Sequence, residues 1–424
     1  MRDMLRSVAP NDYDIATSAR PEQVQAIFPR TVPVGKQFGV ILVIEGRQRF
    51  EVATFRTEGD YQDGRRPSSV AFADAEADAQ RRDFTINGLF FDPVENRVLD
   101  YVHGQEDLAK QLIRTIGNPA QRFAEDKLRL LRCVRFASTL GFEIDPATWE
   151  AVRSMAAEIQ TVSAERIRGE LTKTLTGGNP GRGLDLLDQS GLLEIILPEI
   201  SAMKGVEQPP QFHPEGDVYV HTRLVLEQLQ KPSATLAYAA LLHDVGKPPT
   251  FQRAMDRIRF HEHDRVGTEM SDKILRRLKF PNRQRDAILA CVANHMVFKD
   301  VKKMRKATLK RLLARPTFVE EMELHRADCL SSHRKLDNFE FLQKATKEIT
   351  IEQAKPKPLV NGHDLLGMGY KEGPALGRAL KRIEELQLSE KILTRAQALA
   401  HARKHRPASA KRQLPAAEPR GKSQ

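Results

Sequence analysis

Residues 38–46 (FGVILVIEG) and 49–55 (RFEVATF) are rich in β-branched side chains and flank a short glycine-containing turn, which predicts a strand hairpin. Residues 84–92 and 95–102 predict a second strand pair around Asp92-Pro93. From about residue 112 the apolar positions take helical spacing, as in 123–140, 146–160 and 164–176. Breaks fall at Gly177-Gly178-Asn179-Pro180 and at Gln208-Pro209-Pro210. A second helical block runs from about 218 to 350, and a third from about 362 to 403, after the Lys-Pro-Lys-Pro linker at 355–358. No internal repeat is present. The expected fold class is multi-domain α+β, with a mixed α/β head followed by a long all-α body.

The chain has 424 residues, enough for two to four domains, and 40% of them are hydrophobic, as in ordinary globular proteins. No stretch approaches the roughly 18 uninterrupted apolar residues of a membrane span. The opening Met1-Arg2-Asp3-Met4-Leu5-Arg6 carries charge where a secretory signal needs an apolar core. Three scattered cysteines, Cys133, Cys291 and Cys329, lack metal or redox spacing and fit a reducing compartment. A soluble, cytoplasmic chain is expected.

The net charge of +11 is concentrated in two places. Residues 299–315 hold eight Lys/Arg against one Asp, and residues 403–424 hold seven against one Glu. The rest is close to neutral. Two basic segments on a balanced body suit a polyanionic partner such as nucleic acid, and equally a solvated helix face with a solubilising, disordered tail.

Candidate chemistry begins at Asp12-Tyr13-Asp14, two carboxylates on one face if the segment is extended. Such a pair suits a hard divalent cation shared with substrate phosphates. Glu51, opening EVATFR, is positioned to add a third carboxylate from a neighbouring strand. Three carboxylates around two ions serve in-line displacement at phosphorus. Arg82, in Arg81-Arg82-Asp83-Phe84-Thr85-Ile86-Asn87, offers a planar fork for triphosphate, and Asp83 an acceptor for a ribose hydroxyl. A surface Arg–Asp pair is the plainer alternative.

Residues 125–136 (EDKLRLLRCVRF) read as helix, placing Asp126 and Arg129 on one face. A carboxylate accepts from the exocyclic amine of cytosine or adenine while a guanidinium donates to the adjacent ring nitrogen; uracil and guanine reverse that polarity. An i, i+3 helix salt bridge is the alternative.

Taken in order, the run Arg2-Asp3-Met4-Leu5…Asp12-Tyr13-Asp14-Ile15-Ala16-Thr17, EVATFRTE, the loop Tyr61–Phe72, RRDFTIN, Asp100-Tyr101-Val102-His103-Gly104, EDKLRLLRCVRF and Glu165-Arg166-Ile167-Arg168 resemble the bacterial-type (class II) CCA-adding enzyme and poly(A) polymerase family over about residues 2–205. The resemblance implies a nucleotidyltransferase head at 1–112 and a helical neck at 113–205. It implies Asp12 and Asp14 as Mg²⁺ ligands and Glu51 as the third carboxylate. Arg2, Arg82, Asp83, Arg132 and Arg135 would bind nucleotide, and Asp126 with Arg129 would template the incoming base, braced by Glu125 and Arg132. The implied partners are CTP, ATP and the tRNA 3′ end. The loop at 61–72 is implied to help the switch to ATP, against an enzyme adding only CC.

The family pattern begins Gly-Gly-x-Val-Arg-Asp, and here Met1 stands at the Val position. The phosphate-approaching glycines are therefore missing from the chain. A GTG valine codon taken as the start would account for this, and an upstream extension is then expected; the alternative is a crippled transferase.

The helical body collects His221, His243-Asp244, His263, His295 and Asp328 from five segments. Imidazole with carboxylate suits Mn, Fe, Ni, Zn or Mg and the attack of water on a phosphate ester. The set resembles the HD phosphohydrolase domain, which implies His221, His243, Asp244 and Asp328 as core ligands. His263 and His295 would be the extra ligands of a dinuclear variant. That domain is expected at 206–350, followed by a helical C-terminal region at 351–402 and a disordered basic tail at 403–424. His213 and His261 are expected to be surface or loop histidines, and Asp364 to cap a helix after Asn361-Gly362.

The expected activity is template-independent addition or repair of a tRNA 3′ CCA end from CTP and ATP, releasing pyrophosphate. The rivals are poly(A) polymerase or partial CC- or A-addition, an HD-type metal phosphohydrolase with an inactive RNA-binding head, and a non-catalytic RNA-binding protein.

Overall fold

A computed structural model describes residues 1–10, 13–58, 70–211, 213–255 and 257–407. Asp12, most of the 61–72 loop and the tail beyond residue 407 lie outside the described residues. The chain forms two compact units, one of residues 1–295 and 327–334, the other of 296–326 and 335–424.

The first unit opens on a four-stranded sheet of β1 (Asp14–Thr17), β2 (Thr31–Gly35), β3 (Val40–Glu45) and β4 (Gln48–Thr54), in the order β1-β4-β3-β2. The β3–β4 hairpin turns at Gly46 and Arg47, where Gly46 takes a φ of +59° that suits a residue without Cβ. Ile41, Val43 and Val52 bury one face against Val24 of α1 (Pro21–Ile27). β1 joins β4 as a parallel neighbour. A further ladder pairs β5 (Arg56–Glu58) with β6 (Val70–Phe72).

The second predicted hairpin is shorter than its apolar run. Only β7 (Leu89–Asp92) and β8 (Arg97–Asp100) pair, because Thr85–Asn87 form a 3₁₀ turn and Phe84 bridges to Thr115 instead. The predicted helix at 123–140 divides into α2 (Pro119–Glu125) and α3 (Leu128–Leu140), with Asp126 extended between them (φ −142°, ψ 105°). Helix α4 (Ala164–Leu175) and α5 (Pro180–Gln189) pack on α3.

The helical block from 218 begins with α6 (Val218–Glu227) and α7 (Ala234–Leu242) and continues through α8 (His263–Arg277), α9 (Asn282–Asn294) and α10 (Phe318–Ser331). The helical reading missed a small hairpin of Phe251–Arg253 with Ile258–Phe260. Three-residue strands are too short to give a period of two.

In the second unit Phe298, Val301, Leu312, Phe318 and Leu342 form one core, and Leu365, Tyr370, Ile383 and Ala398 belong to another. The run at 299–315 is not a uniformly solvated face, since Lys310 is buried and pairs with Glu390 at 2.9 Å. Asn361, not Asp364, caps the helix Gly362–Gly367; Asp364 is its reciprocal partner in the capping box. The last described helix, Arg395–Lys404, extends two residues into the segment expected to be disordered. Among the described residues no helix is long and apolar enough to cross a membrane.

Candidate active and metal sites

In the head, Asp14 on β1 stands at the register position opposite Glu51 on β4. Partners across a parallel pair point to the same face about 4.8 Å apart, so the two carboxylates are neighbours. Both residues are exposed. Two adjacent oxygen donors in water suit a hard cation such as Mg²⁺. Asp12, two residues before Asp14, lies outside the described residues.

Four arginines gather around Asn87, Phe90 and Phe136. Arg82 donates from Nε and Nη2 to Asp78 Oδ2 and from Nη1 to the Asn87 carbonyl, and lies over the Phe90 ring. Arg2 reaches Asn87 Oδ1 at 2.9 Å. Arg2, Arg132 and Arg135 all lie over Phe136, with Arg135 nearest at 3.8 Å from the ring centroid. Arg135 also pairs with buried Glu170 at 2.6 Å. Burial pushes the Arg135 guanidinium down, and the charges of Arg132 and Arg2 add to this against Glu170. Such a crowd of cations around one aromatic ring favours an anionic ligand.

Asp83 is not left open for a sugar hydroxyl in this arrangement. Its Oδ1 accepts from Phe84 N and Asn87 Nδ2, and its Oδ2 takes Arg132 Nε and Nη2 at 2.7 and 2.6 Å. Burial alone would raise this carboxyl; Arg132 and the hydrogen bonds outweigh it and hold it below its ordinary value. For Arg132 burial likewise opposes the charge, and Asp83 reverses the sign and raises it. Arg132 thus contacts Asp83 directly, and the Asp126 charge acts on it as well.

The break at Asp126 changes how that pair is built. Asp126 Oδ1 accepts from Leu128 N, and Oδ2 accepts from Arg166 Nη2 at 2.7 Å. Arg129 is buried and donates to Glu125 Oε2 and to the carbonyls of Arg122 and Arg81. Those three bonds leave two of the five guanidinium N–H groups for a ligand. Glu125 therefore braces Arg129 as expected. Arg166 fixes Asp126 from forty residues away, a partnership with no local signal.

The second cluster lies in the helical part of the same unit. His221 projects from α6, His243 and Asp244 follow α7, His263 opens α8, His295 ends α9, and Asp328 lies on α10. Asp244 sits at the centre. Its Oδ2 is 3.1 Å from His243 Nε2 and 3.8 Å from His221 Nε2; its Oδ1 is 3.7 Å from His263 Nε2 and 3.9 Å from His295 Nε2. Asp328 Oδ1 lies 3.1 Å from His221 Nε2. Gly246 allows this packing, because a Cβ there would overlap the His263 carbonyl and the Gly267 backbone.

Each Nδ1 faces an acceptor: Ala240 O for His243, Phe260 O for His263, Val292 O for His295 and Glu215 Oε1 for His221. Carbonyl and carboxylate oxygens only accept, so each Nδ1 carries a proton and Nε2 is the atom turned inward, where His263 Nε2 and His295 Nε2 stand 3.1 Å apart. His221 Nε2 and His243 Nε2 are buried with no partner in hydrogen-bond geometry among the described residues, and their nearest neighbours are the carboxylates of Asp328 and Asp244 at 3.1 Å. Orphaned buried donors of this type fit a divalent ion. Burial would raise the Asp244 carboxyl, but His243 and Lys247 hold it well below the carboxylate range. Burial and the neighbouring His243 push His295 down to about 4.

The sequence reading missed Lys247, Gln208 and Glu215. Lys247 Nζ lies 2.7 Å from Asp244 Oδ2 and donates to Gln208 Oε1. His213 lies in a loop, as expected, but it is half-buried there: it shares Glu215 with His221 and packs against the His221 ring. Burial, with Lys247 next, pushes His213 down to about 4. His261 is exposed, as expected.

A sheet bearing paired carboxylates, an arginine-rich neck and an HD cluster together define a nucleotidyltransferase architecture with an HD domain. Residues 1–114 match the poly A polymerase head domain, 141–204 the probable RNA and SrmB binding site of polymerase A, and 217–332 the HD domain. The chain is 33% identical to the CCA-adding enzyme of Anoxybacillus flavithermus, over 92% of this chain and 88% of that protein. It belongs to the CCA-adding enzyme family. With the CCA-adding enzyme of Staphylococcus aureus it is 47% identical, but over 42% of this chain and 45% of that protein, so the chain spans about half the length of such relatives. The structure superposes on Bacillus stearothermophilus CCA-adding enzyme in complex with CTP with a TM-score of 0.72 and 26% identity, covering 95% of this chain and 91% of that one. A Thermotoga maritima CCA-adding enzyme complexed with tRNA shares the fold at a TM-score of 0.56 and 19% identity, over 95% and 88% of the two chains.

Proposed function

We propose that the protein adds or repairs the 3′ CCA end of tRNA, using CTP and ATP without a nucleic-acid template, in the cytoplasm. The observation that carries this reading is the register of Asp14 against Glu51, together with the Arg2–Arg82–Arg132–Arg135 group, in a chain of this family. Asp12, Asp14 and Glu51 would hold Mg²⁺, which lowers the pKa of the attacking hydroxyl and offsets charge on the departing pyrophosphate. The arginines bind and orient the triphosphate, placing the α-phosphorus in line with the RNA 3′-hydroxyl. Asp126 accepts from the exocyclic amine of cytosine or adenine, and the uncommitted N–H groups of Arg129 donate to the adjacent ring nitrogen. Arg166 and Glu125 hold that edge still between substrates.

The test supplies labelled CTP and ATP, together and separately, to the full chain with Mg²⁺ and a tRNA transcript lacking CCA. Ordered addition of C, C and A, abolished by Asp12→Ala or Asp14→Ala, supports the reading. Long A tracts without use of CTP would assign poly(A) polymerase, and arrest after CC or use of ATP alone would assign a partial enzyme. No addition would overturn it.

A second activity is favoured by the orphaned Nε2 atoms of the HD cluster: hydrolysis of a phosphate ester at a divalent ion held by His221, His243, Asp244 and Asp328, with His263 and His295. A bound ion supplies a water nucleophile at neutral pH. Phosphate release from a cyclic phosphate or nucleotide, lost in His243→Ala, tests it.

A further inference from the structure

One asymmetry of the HD cluster lies behind its ligands. Three imidazoles give Nδ1 to neutral main-chain carbonyls, whereas His221 gives it to a carboxylate, Glu215 Oε1, at 2.6 Å. The same oxygen takes His213 Nδ1 at 2.9 Å, and the two imidazole rings meet edge to face with centroids 4.8 Å apart. Glu215 Oε2 is buried and has no hydrogen-bond partner among the described residues. The local chain is built to bring Glu215 there. Asp217 caps α6 through Val220 N and ties Gly205 N, while Gly216 turns the backbone at a φ of +122°, open to glycine.

Charge is also unequal across Asp244. On the His221–His243 side stand Asp328 and Asp244 Oδ2; on the His263–His295 side the ligand set contains only Asp244 Oδ1. The Lys247 ammonium, 2.7 Å from Asp244 Oδ2, offsets one negative charge on the first side. Glu215 restores the excess from behind His221. A carboxylate behind a ligating imidazole fixes the ring and makes its far nitrogen a stronger donor than a carbonyl does.

We propose that Glu215, braced by His213, is a positioning residue that makes the His221–His243–Asp328 side the tighter of two unequal divalent-ion positions. This rests on the reading of the cluster as an ion site. It requires neither catalysis nor a known hydrolytic substrate.

The full chain, stripped with a chelator, is titrated with Mn²⁺ by equilibrium dialysis and with Co²⁺ by visible absorption. Wild type is expected to load in two steps of different affinity. Glu215→Gln should weaken the tighter step by about 10–100-fold and shift the Co²⁺ bands. His213→Gln, which keeps Glu215 but removes its brace, should weaken that step several-fold and serves if Glu215→Gln does not fold. His263→Ala should remove only the weaker step. Unchanged affinities and Co²⁺ spectra in the Glu215 and His213 variants would overturn the positioning role, as would selective loss of the weaker step. Absence of any Mn²⁺ or Co²⁺ binding by wild type would instead sink the ion-site reading, and this inference with it.

Discussion

Arg166 Nη2 donates to Asp126 Oδ2 at 2.7 Å, so a residue of α4 fixes the carboxylate that stands between α2 and α3. The bond holds Asp126 in the extended break, where its own helix cannot. Arg166→Ala should lower kcat/KM for both CTP and ATP by about tenfold, or roughly 1.4 kcal/mol, and increase use of UTP and GTP. Single-nucleotide incorporation with each of the four triphosphates measures both effects.

Asp83 and Arg132 form a two-contact ion pair on the inner side of the arginine group. Removing one member leaves the other without its counter-charge. Asp83→Asn should destabilise by about 3 kcal/mol, the lower end for buried pairs, because the Arg132 side chain still reaches solvent. Urea unfolding of the two proteins at neutral pH gives the difference.

The same carboxylate makes stability depend on acid. Its folded pKa lies below the ordinary 3.8, so its contribution is complete above that value and is lost as the pH falls through the lower folded one. The gap in Tm between wild type and Asp83→Asn should therefore be constant above about pH 5 and shrink below 3.8. Thermal melts across that range show whether it does.

Gly246 is held against the His263 carbonyl and Gly267. Gly246→Ala must push α8 away from Asp244, with a cost of about 3 kcal/mol or more. Mn²⁺ binding should weaken along with Tm, read by dialysis and by melting with and without the ion.

His243→Ala should abolish phosphate release while leaving the addition of C and A intact, since among the described residues none of the groups around Asp14, Glu51 and the arginines touches the HD cluster. Parallel assays on one preparation separate the two activities.

The order of elements, the α+β class and the residue types of both clusters are written in the sequence, because strand and helix periods and short motifs are local properties of the chain. Partnerships between distant residues are not. The pairing of Asp14 with Glu51 depends on β1 inserting beside β4, which no local pattern specifies. One continuous apolar period covers 123–140, yet the helix breaks at Asp126, whose oxygens are taken by Leu128 N and Arg166. Asp83 reads as an open acceptor until Arg132, forty-nine residues on, occupies it. His213 reads as a loop histidine and is one, but only the fold lays Glu215 against both it and His221. The sequence determined which groups are available. Packing across tens of residues decided which remained open to a ligand, because a buried polar group must find a partner wherever the fold brings one.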